Sequence, residues 1–252
     1  MKKYKNDLIR QVHDYFALAI HEAAKIDGNS ATFDQTKDVL DFGRASGLDD
    51  DEIKVITNLK HAYQNAISMA NDSTWKYDYK DVIYINRLVG LDLIPGSSVF
   101  RYKDVTVGNI YHPPFPPTPE IWKEEIQNVL QAQLNIEAIL YLFGYMTKQQ
   151  IFNNGNKRTA LVFCNSLLIS AEIGFINVPV QSKNEFSKLL TSFYTDKIDE
   201  QTFINSMKNK WFIKEFEHID ESLKNKIKNS TFSTSSSTLE EYKREKANTK
   251  GQ

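Results

Sequence analysis

The sequence predicts a mainly α-helical bundle with one small β-hairpin, on three observations. Apolar residues recur every three or four positions through most of the chain, the spacing of helices that bury one face. Only the stretch holding Val105, Val107 and Ile110, bent at Gly108-Asn109, reads as paired strands. A chain of 252 residues, 41% of them hydrophobic, can bury a core that needs no disulfide or metal staple, and the single Cys164 offers none.

The first helix is expected from about Asp7 to Ile26, on Leu8, Ile9, Val12, Phe16, Ile20 and Ala24, and Asp27-Gly28-Asn29 stops it. Helical patterns follow at about Thr36–Gly43, Asp50–Met69 and Val82–Val89, before the turn Pro95-Gly96-Ser97-Ser98. After the hairpin, His112 to Pro119 should be extended, because its prolines cannot supply ladder donors. Thr118-Pro119-Glu120 then opens a helix with a capping hydroxyl, a proline at the first position and an acid near the positive dipole end.

That helix is expected to run unbroken from Ile121 to about Thr147. Its part from Ile136 to Tyr145 is apolar on nearly all sides and is placed at the centre of the fold. A second central helix, from about Lys157 to Ala171, carries Leu161, Cys164, Leu167, Leu168 and Ala171 on one face, and further helices cover about Ser182–Phe193 and Glu200–Ile227. From Asn229 a serine- and threonine-rich stretch and a charged end hold too few apolar side chains to offset ordering entropy. The chain therefore divides into an N-terminal helical region (1–75), a core (76–228) and a tail (229–252) expected to be disordered.

Charge excludes some roles. With 31 Lys and Arg against 32 Asp and Glu, a net −1 supplies no overall attraction to nucleic acid or anionic lipid. No run of about 18 apolar residues predicts a membrane span, and the start lacks the apolar core of a signal peptide, so the expected location is cytoplasmic. No histidine spacing predicts a structural metal site.

The chemistry is concentrated in Gln150-Ile151-Phe152-Asn153-Asn154-Gly155-Asn156-Lys157-Arg158-Thr159, between the two central helices. Gly155 can take backbone angles closed to other residues, so the turn can bring amides onto an anion while the next helix presents its positive end. Lys157 and Arg158 add formal charge there, and phosphate is the natural guest. On the residues alone, the same segment also reads as a polar turn followed by a solvated helix start.

Gln150 to Arg158 resembles the signature of the Fic/Doc (Fido) family, His-x-Phe-x-Asp/Glu-Gly-Asn-Gly/Lys-Arg. Arg101 to Pro117 resembles that family's strand-turn-strand flap and proline-rich exit, and Asn58-Leu59-Lys60-His61-Ala62-Tyr63 resembles another of its recurring stretches. Ala23-Ala24-Lys25-Ile26-Asp27-Gly28-Asn29 is similar to its inhibitory motif, Ser-x-x-x-Glu-Gly/Asn. The resemblance implies a Fido-type helical bundle with a small β-hairpin flap. It also implies transfer of AMP, or in the Doc branch phosphate, from ATP or another nucleotide to a protein hydroxyl, with the protein partner held at the flap edge from Lys103 to Tyr111.

Carried over residue by residue, the resemblance makes Asn154, Gly155, Asn156, Lys157 and Arg158 nucleotide-binding positions, Gln150 and Arg158 catalytic positions, and Phe152 the buried anchor. Lys157 matches the Doc-like variant. The pattern breaks at three places. The catalytic His is Gln150, a carboxamide that cannot act as a base near neutral pH, and losing a positioned base typically costs roughly 10²- to 10⁴-fold in rate. The metal-binding acid is Asn154, which predicts weakened Mg²⁺ affinity. In the inhibitory stretch, Glu is the shorter Asp27 and Ser is Ala23, while Leu161 occupies the place of the arginine such a Glu would pair with. Asp27 is therefore expected to end a helix without an ionic partner.

His112 beside the flap and Glu137 on the helix are the candidates for a substitute base, but a solvated histidine and a structurally bonded carboxylate are the favoured readings. Two functions stay open: a nucleotide or phosphate pocket in a protein deficient in AMP transfer that acts by binding a partner, and an active adenylyltransferase or phosphotransferase.

Overall fold

The computed structural model describes residues 15–95, 97–108, 110–114, 118–214 and 237–248. The expected helical bundle is present. The helix α1 (15–26) stops at the Asp27-Gly28 turn, where Gly28 has φ 100°; the start expected at Asp7 lies outside the described residues. Next come α2 (Phe33–Phe42) and α3 (Asp50–Asn71), each opened by a capping box: Thr32 with Gln35, and Asp49 with Glu52. The helix α4 (Tyr79–Val89) opens the same way, on Asp78 and Asp81.

Thr118 stands at the N-cap of α5 (Pro119–Gln131) in extended backbone, but its hydroxyl does not cap an amide. It bonds the Glu120 carboxylate instead. The single long helix expected from Ile121 to Thr147 is two. The chain leaves helical geometry at Ala132, and the Asn135 side chain accepts from the Ala138 amide at 2.8 Å to start α6 (Ile136–Gln149). Asparagine competes for backbone donors, which suits a cap better than a helix interior.

The centre of the bundle also differs from the expectation. In α6 the stripe Glu137, Tyr141 and Tyr145 faces outward: Glu137 pairs with Lys208 at 2.5 Å, and the Tyr141 hydroxyl donates to Glu125 at 2.5 Å. The helix α7 (Asn156–Ser170) is enclosed, buried from Asn156 to Ile169 except at Lys157, and not on one face alone. Helices α3, α4 and α6 surround it, with β1 (Phe175–Ile176) against it.

A short 3-10 turn (Val180–Ser182) leads into α8 (Lys183–Tyr194), followed by α9 (Glu200–Trp211) and β2 (Phe212–Ile213). The strands β1 and β2 pair antiparallel, Phe175 with Ile213 and Ile176 with Phe212. Among the described residues the two-stranded sheet is thus here and not at the flap, where a single bridge joins Val107 to Tyr111 around Gly108.

Part of the stretch expected to be disordered is folded: α10 (Ser237–Asn248) buries Leu239, Tyr242 and Lys246. Its apolar content is low, as the composition says. What seats it is an ion pair and a ring stack that composition does not register. The helix expected over Glu200–Ile227 ends instead at Trp211, where the chain turns into β2, and residues 215–236 lie outside the described residues. No helix among the described residues is long and apolar enough to cross a membrane.

Candidate functional site

The loop between α6 and α7 is built from its own side chains. Gln150 ends α6 in left-handed backbone, with φ 47° and ψ 59°. Its Nε2 donates to the Thr147 carbonyl at 2.6 Å, and its Oε1 accepts from Asn156 Nδ2 at 3.1 Å. Asn156 in turn accepts from the Phe152 amide and donates to the Phe152 carbonyl, both at 2.8 Å. The Phe152 ring is buried against Phe100, with centroids 5.7 Å apart and planes 8° from parallel. Gln150 and Asn156 are therefore occupied in holding the turn, and Phe152 is buried as the resemblance implied.

Gly155, at φ 75°, is the N-cap of α7 and leaves its first turn without a side-chain cap. A Cβ there would lie 3.2 Å from Val89 Cγ1. Asn154 is exposed, and its Oδ1 accepts from the Gly155 amide at 2.6 Å.

The cationic tip of α7 already meets a carboxylate. Asp27, expected to lack an ionic partner, accepts from Arg158 Nε at 2.6 Å and pairs with Lys157 Nζ at 2.7 Å. The C-terminal end of α1 abuts the loop, so the short aspartate reaches these two cations and has no need of one at Leu161. Burial alone would push the Asp27 carboxyl up, but Lys157 and Arg158 outweigh it and hold it below the usual aspartate value. Arg158 is 7% exposed, and its Nη1 has no hydrogen-bond partner among the described residues. A buried guanidinium nitrogen left unbonded costs the desolvation of that group.

Asp27, Gln150 and Asn154–Arg158 form one wall of a cavity of about 480 Å³. The flap contributes Val107 and Gly108, and α8 contributes Ser187, Leu190, Thr191 and Tyr194. The α8 wall was not legible in the sequence, because nothing local marks it. Tyr194 is buried beside Thr147, and Tyr111 of the flap stacks on it at 5.3 Å.

Two further residues that the motif does not name hold the site together. Arg101, 3% exposed, donates from Nε to the Gln150 carbonyl at 2.9 Å, from Nη1 to Lys103 O at 3.0 Å and from Nη2 to Pro114 O at 2.6 Å, so one guanidinium ties the end of α6 to both sides of the flap. Asn86 of α4 donates to Asn154 O at 3.1 Å and Thr159 Oγ1 at 3.0 Å, and accepts from the Ser98 amide.

Neither substitute base reaches the cavity. His112 is exposed, with Nδ1 3.2 Å from the Thr106 hydroxyl, and Glu137 is paired on the far side of α6. The donor set does not fit Mg²⁺ either: Asn154 is an amide, and the nearest carboxylate, Asp27, is committed to two cations. Among the described residues no group of three or more His, Cys, Asp and Glu could hold a metal ion.

No curated protein matches the chain in sequence. Among solved structures, the chain is similar to a Fic-domain-containing signalling protein from Bacteroides thetaiotaomicron, with a TM-score of 0.66 at 17% identity over 81% of this chain and 85% of that one. It is similar to Fic-1 from C. elegans, at 0.64 and 18% over 89% of this chain and 64% of that one. A Fic family protein from Desulfovibrio desulfuricans G20 gives 0.62 and 13%, over 87% and 65%. The chain thus spans just under two thirds of the last two. The model of the Fic/DOC family matches residues 76–168, which include the flap, the loop and the tip of α7. The chain has the Fic fold of these structures, and its residues 76–168 match the model of the Fic/DOC family.

Proposed function

We propose that this Fic/DOC-domain protein binds the phosphate of ATP or another nucleotide at the tip of α7, and that it is deficient in AMP transfer and acts by binding a protein partner. The observation that carries the binding is the unbonded, buried Nη1 of Arg158 in a cavity wall that also holds Lys157 and an uncapped helix start. Deficiency is supported by Gln150, whose carboxamide lacks a usable proton equilibrium and is bonded at both ends to the loop. The flap edge from Lys103 to Tyr111, with Tyr102 just before it and Ile110 within it at 62% and 63% exposure, suits an extended peptide added as a strand.

In this reading Asp27 occupies the place of the anion. A phosphate must displace its carboxylate from Arg158 and Lys157, so the free protein is self-neutralised. Removing that charge should raise affinity for ATP about tenfold, equal to about 1.4 kcal/mol. Titration calorimetry of wild type, Asp27→Asn and Arg158→Ala with ATP, ADP and GTP, each with and without Mg²⁺, tests this. The expected order is Asp27→Asn tightest and Arg158→Ala weakest, with little dependence on Mg²⁺. No binding to Asp27→Asn would sink the pocket. Robust label transfer from ATP to a target by the wild type, lost in Arg158→Ala, would replace deficiency with the active-transferase reading.

A further inference from the structure

At the far end of α4 from the loop lies a second buried polar cluster. Asp81 is fully buried; its Oδ2 accepts from the Asp78 amide at 2.9 Å, closing the capping box of α4, and from Trp75 Nε1 at 3.4 Å. The same carboxylate takes three bonds from α10: Lys246 Nζ at 2.7 and 2.8 Å, and the Tyr242 hydroxyl at 2.8 Å. Lys246 also donates to Lys76 O at 2.8 Å. The Tyr242 ring lies flat on Tyr84, with centroids 3.9 Å apart and planes 3° from parallel. Lys243 reaches Asp72 at 3.3 Å and covers Trp75.

The face of α10 made by Leu239, Tyr242, Lys243 and Lys246 thus fits a socket of acids and aromatic rings drawn from residues 72–84. Beside that face, Glu245 pairs with Arg87 of α4 at 3.5 Å with both side chains largely exposed, and Lys246 also lies 3.5 Å from Asp78. A helix of 12 residues is marginal in water by itself, and a buried ion pair contributes specificity more than net stability, because both ions lose their hydration.

We propose that α10 is a releasable latch: seated on Asp81 it fixes the start of α4, and α4 fixes the Gln150–Arg158 loop through Asn86. The path is one 11-residue helix with Asp81 in its first turn and Asn86 in its last two. Asn86 bonds Asn154, Thr159 and Ser98 at once, so a tilt of α4 strains all three contacts. The latch is a property of the ligand-free chain and stands or falls apart from what the cavity binds.

Amide hydrogen exchange on the full-length chain without ligand tests it. Lys246→Met removes the cation, and Tyr242→Ala removes the stack and the phenol bond while keeping both charges. The readouts are the α10 amides and three hydrogen-bonded amides near the site: Gly90, bonded to Asn86 O, Phe152, bonded to Asn156 Oδ1, and Thr159, bonded to Gly155 O. The Asn177 amide, bonded to Trp211 O, reports on the rest of the fold. The expected result is faster exchange at α10 and at least tenfold faster exchange at the three site amides, with Asn177 unchanged. Exchange that rises in α10 while the site amides stay within twofold of wild type overturns the latch, as does an α10 protected in both variants. Should Lys246→Met speed exchange everywhere, Tyr242→Ala decides by the same criterion.

Discussion

Asp27 shows how one residue changes meaning between sequence and structure. By spacing it ends α1; by position it neutralises the tip of α7. Five residues earlier, the same helix carries a different kind of acid. Glu22 is 6% exposed, accepts from Tyr15 at 3.5 Å and also from Asn177, and burial pushes its carboxyl up to about 7 against the hydrogen bonds that lower it. Its neighbour His21 is drawn the other way, to about 4, by burial and then by Lys25. The signs are opposite. A carboxyl raised in the fold loses stabilising influence as pH rises from its unfolded value of about 4.5 to about 7, whereas a histidine lowered in the fold does so as pH falls from about 6.5 to about 4. Glu22→Gln leaves only the second. Thermal melts from pH 4 to 8 should therefore show the variant gaining on wild type between about 4.5 and 7, with a constant difference above that. A difference independent of pH would mean that Glu22 is not buried as described.

At the scale of elements, the breaks between helices set the site. The cut between α5 and α6 rests on the Asn135 cap, and Asn135→Ala should cost about 1 kcal/mol, read as a lower Tm. The flap depends on Arg101 more than on strand pairing, since among the described residues one bridge joins its two sides. Arg101→Met strips donors from the carbonyls of Gln150, Lys103 and Pro114 and should destabilise by about 1–3 kcal/mol for the unsatisfied groups. Limited proteolysis should then cut first between Lys103 and Tyr111; unchanged cleavage would show that the flap is held by other contacts. The loop motif was readable as a phosphate-type turn because Gly155 and the two cations are adjacent in sequence. Arg101 and Asn86 were not, because the loop carbonyls they bond, those of Gln150 and Asn154, lie 49 and 68 residues away.

For the whole molecule, the burial of α7 on every side makes it the element whose exposure demands global unfolding. Its interior amides, from Val162 to Leu168, should exchange at the slowest rates in the chain and track global stability in denaturant, whereas those of α10 should open at far lower free energy. Faster exchange in the middle of α7 than in α10 would contradict this architecture. The sequence by itself determined the helical class, most helix positions and the cation-tipped turn, because these follow from periodicity and from neighbours along the chain. Only the tertiary structure decided that Asp27 faces Arg158 across 131 residues, that α8 closes the cavity and that a serine-rich end returns to seat Lys246 on Asp81. These contacts join residues distant in sequence. Their strength comes from burial and charge placement, which no local pattern encodes.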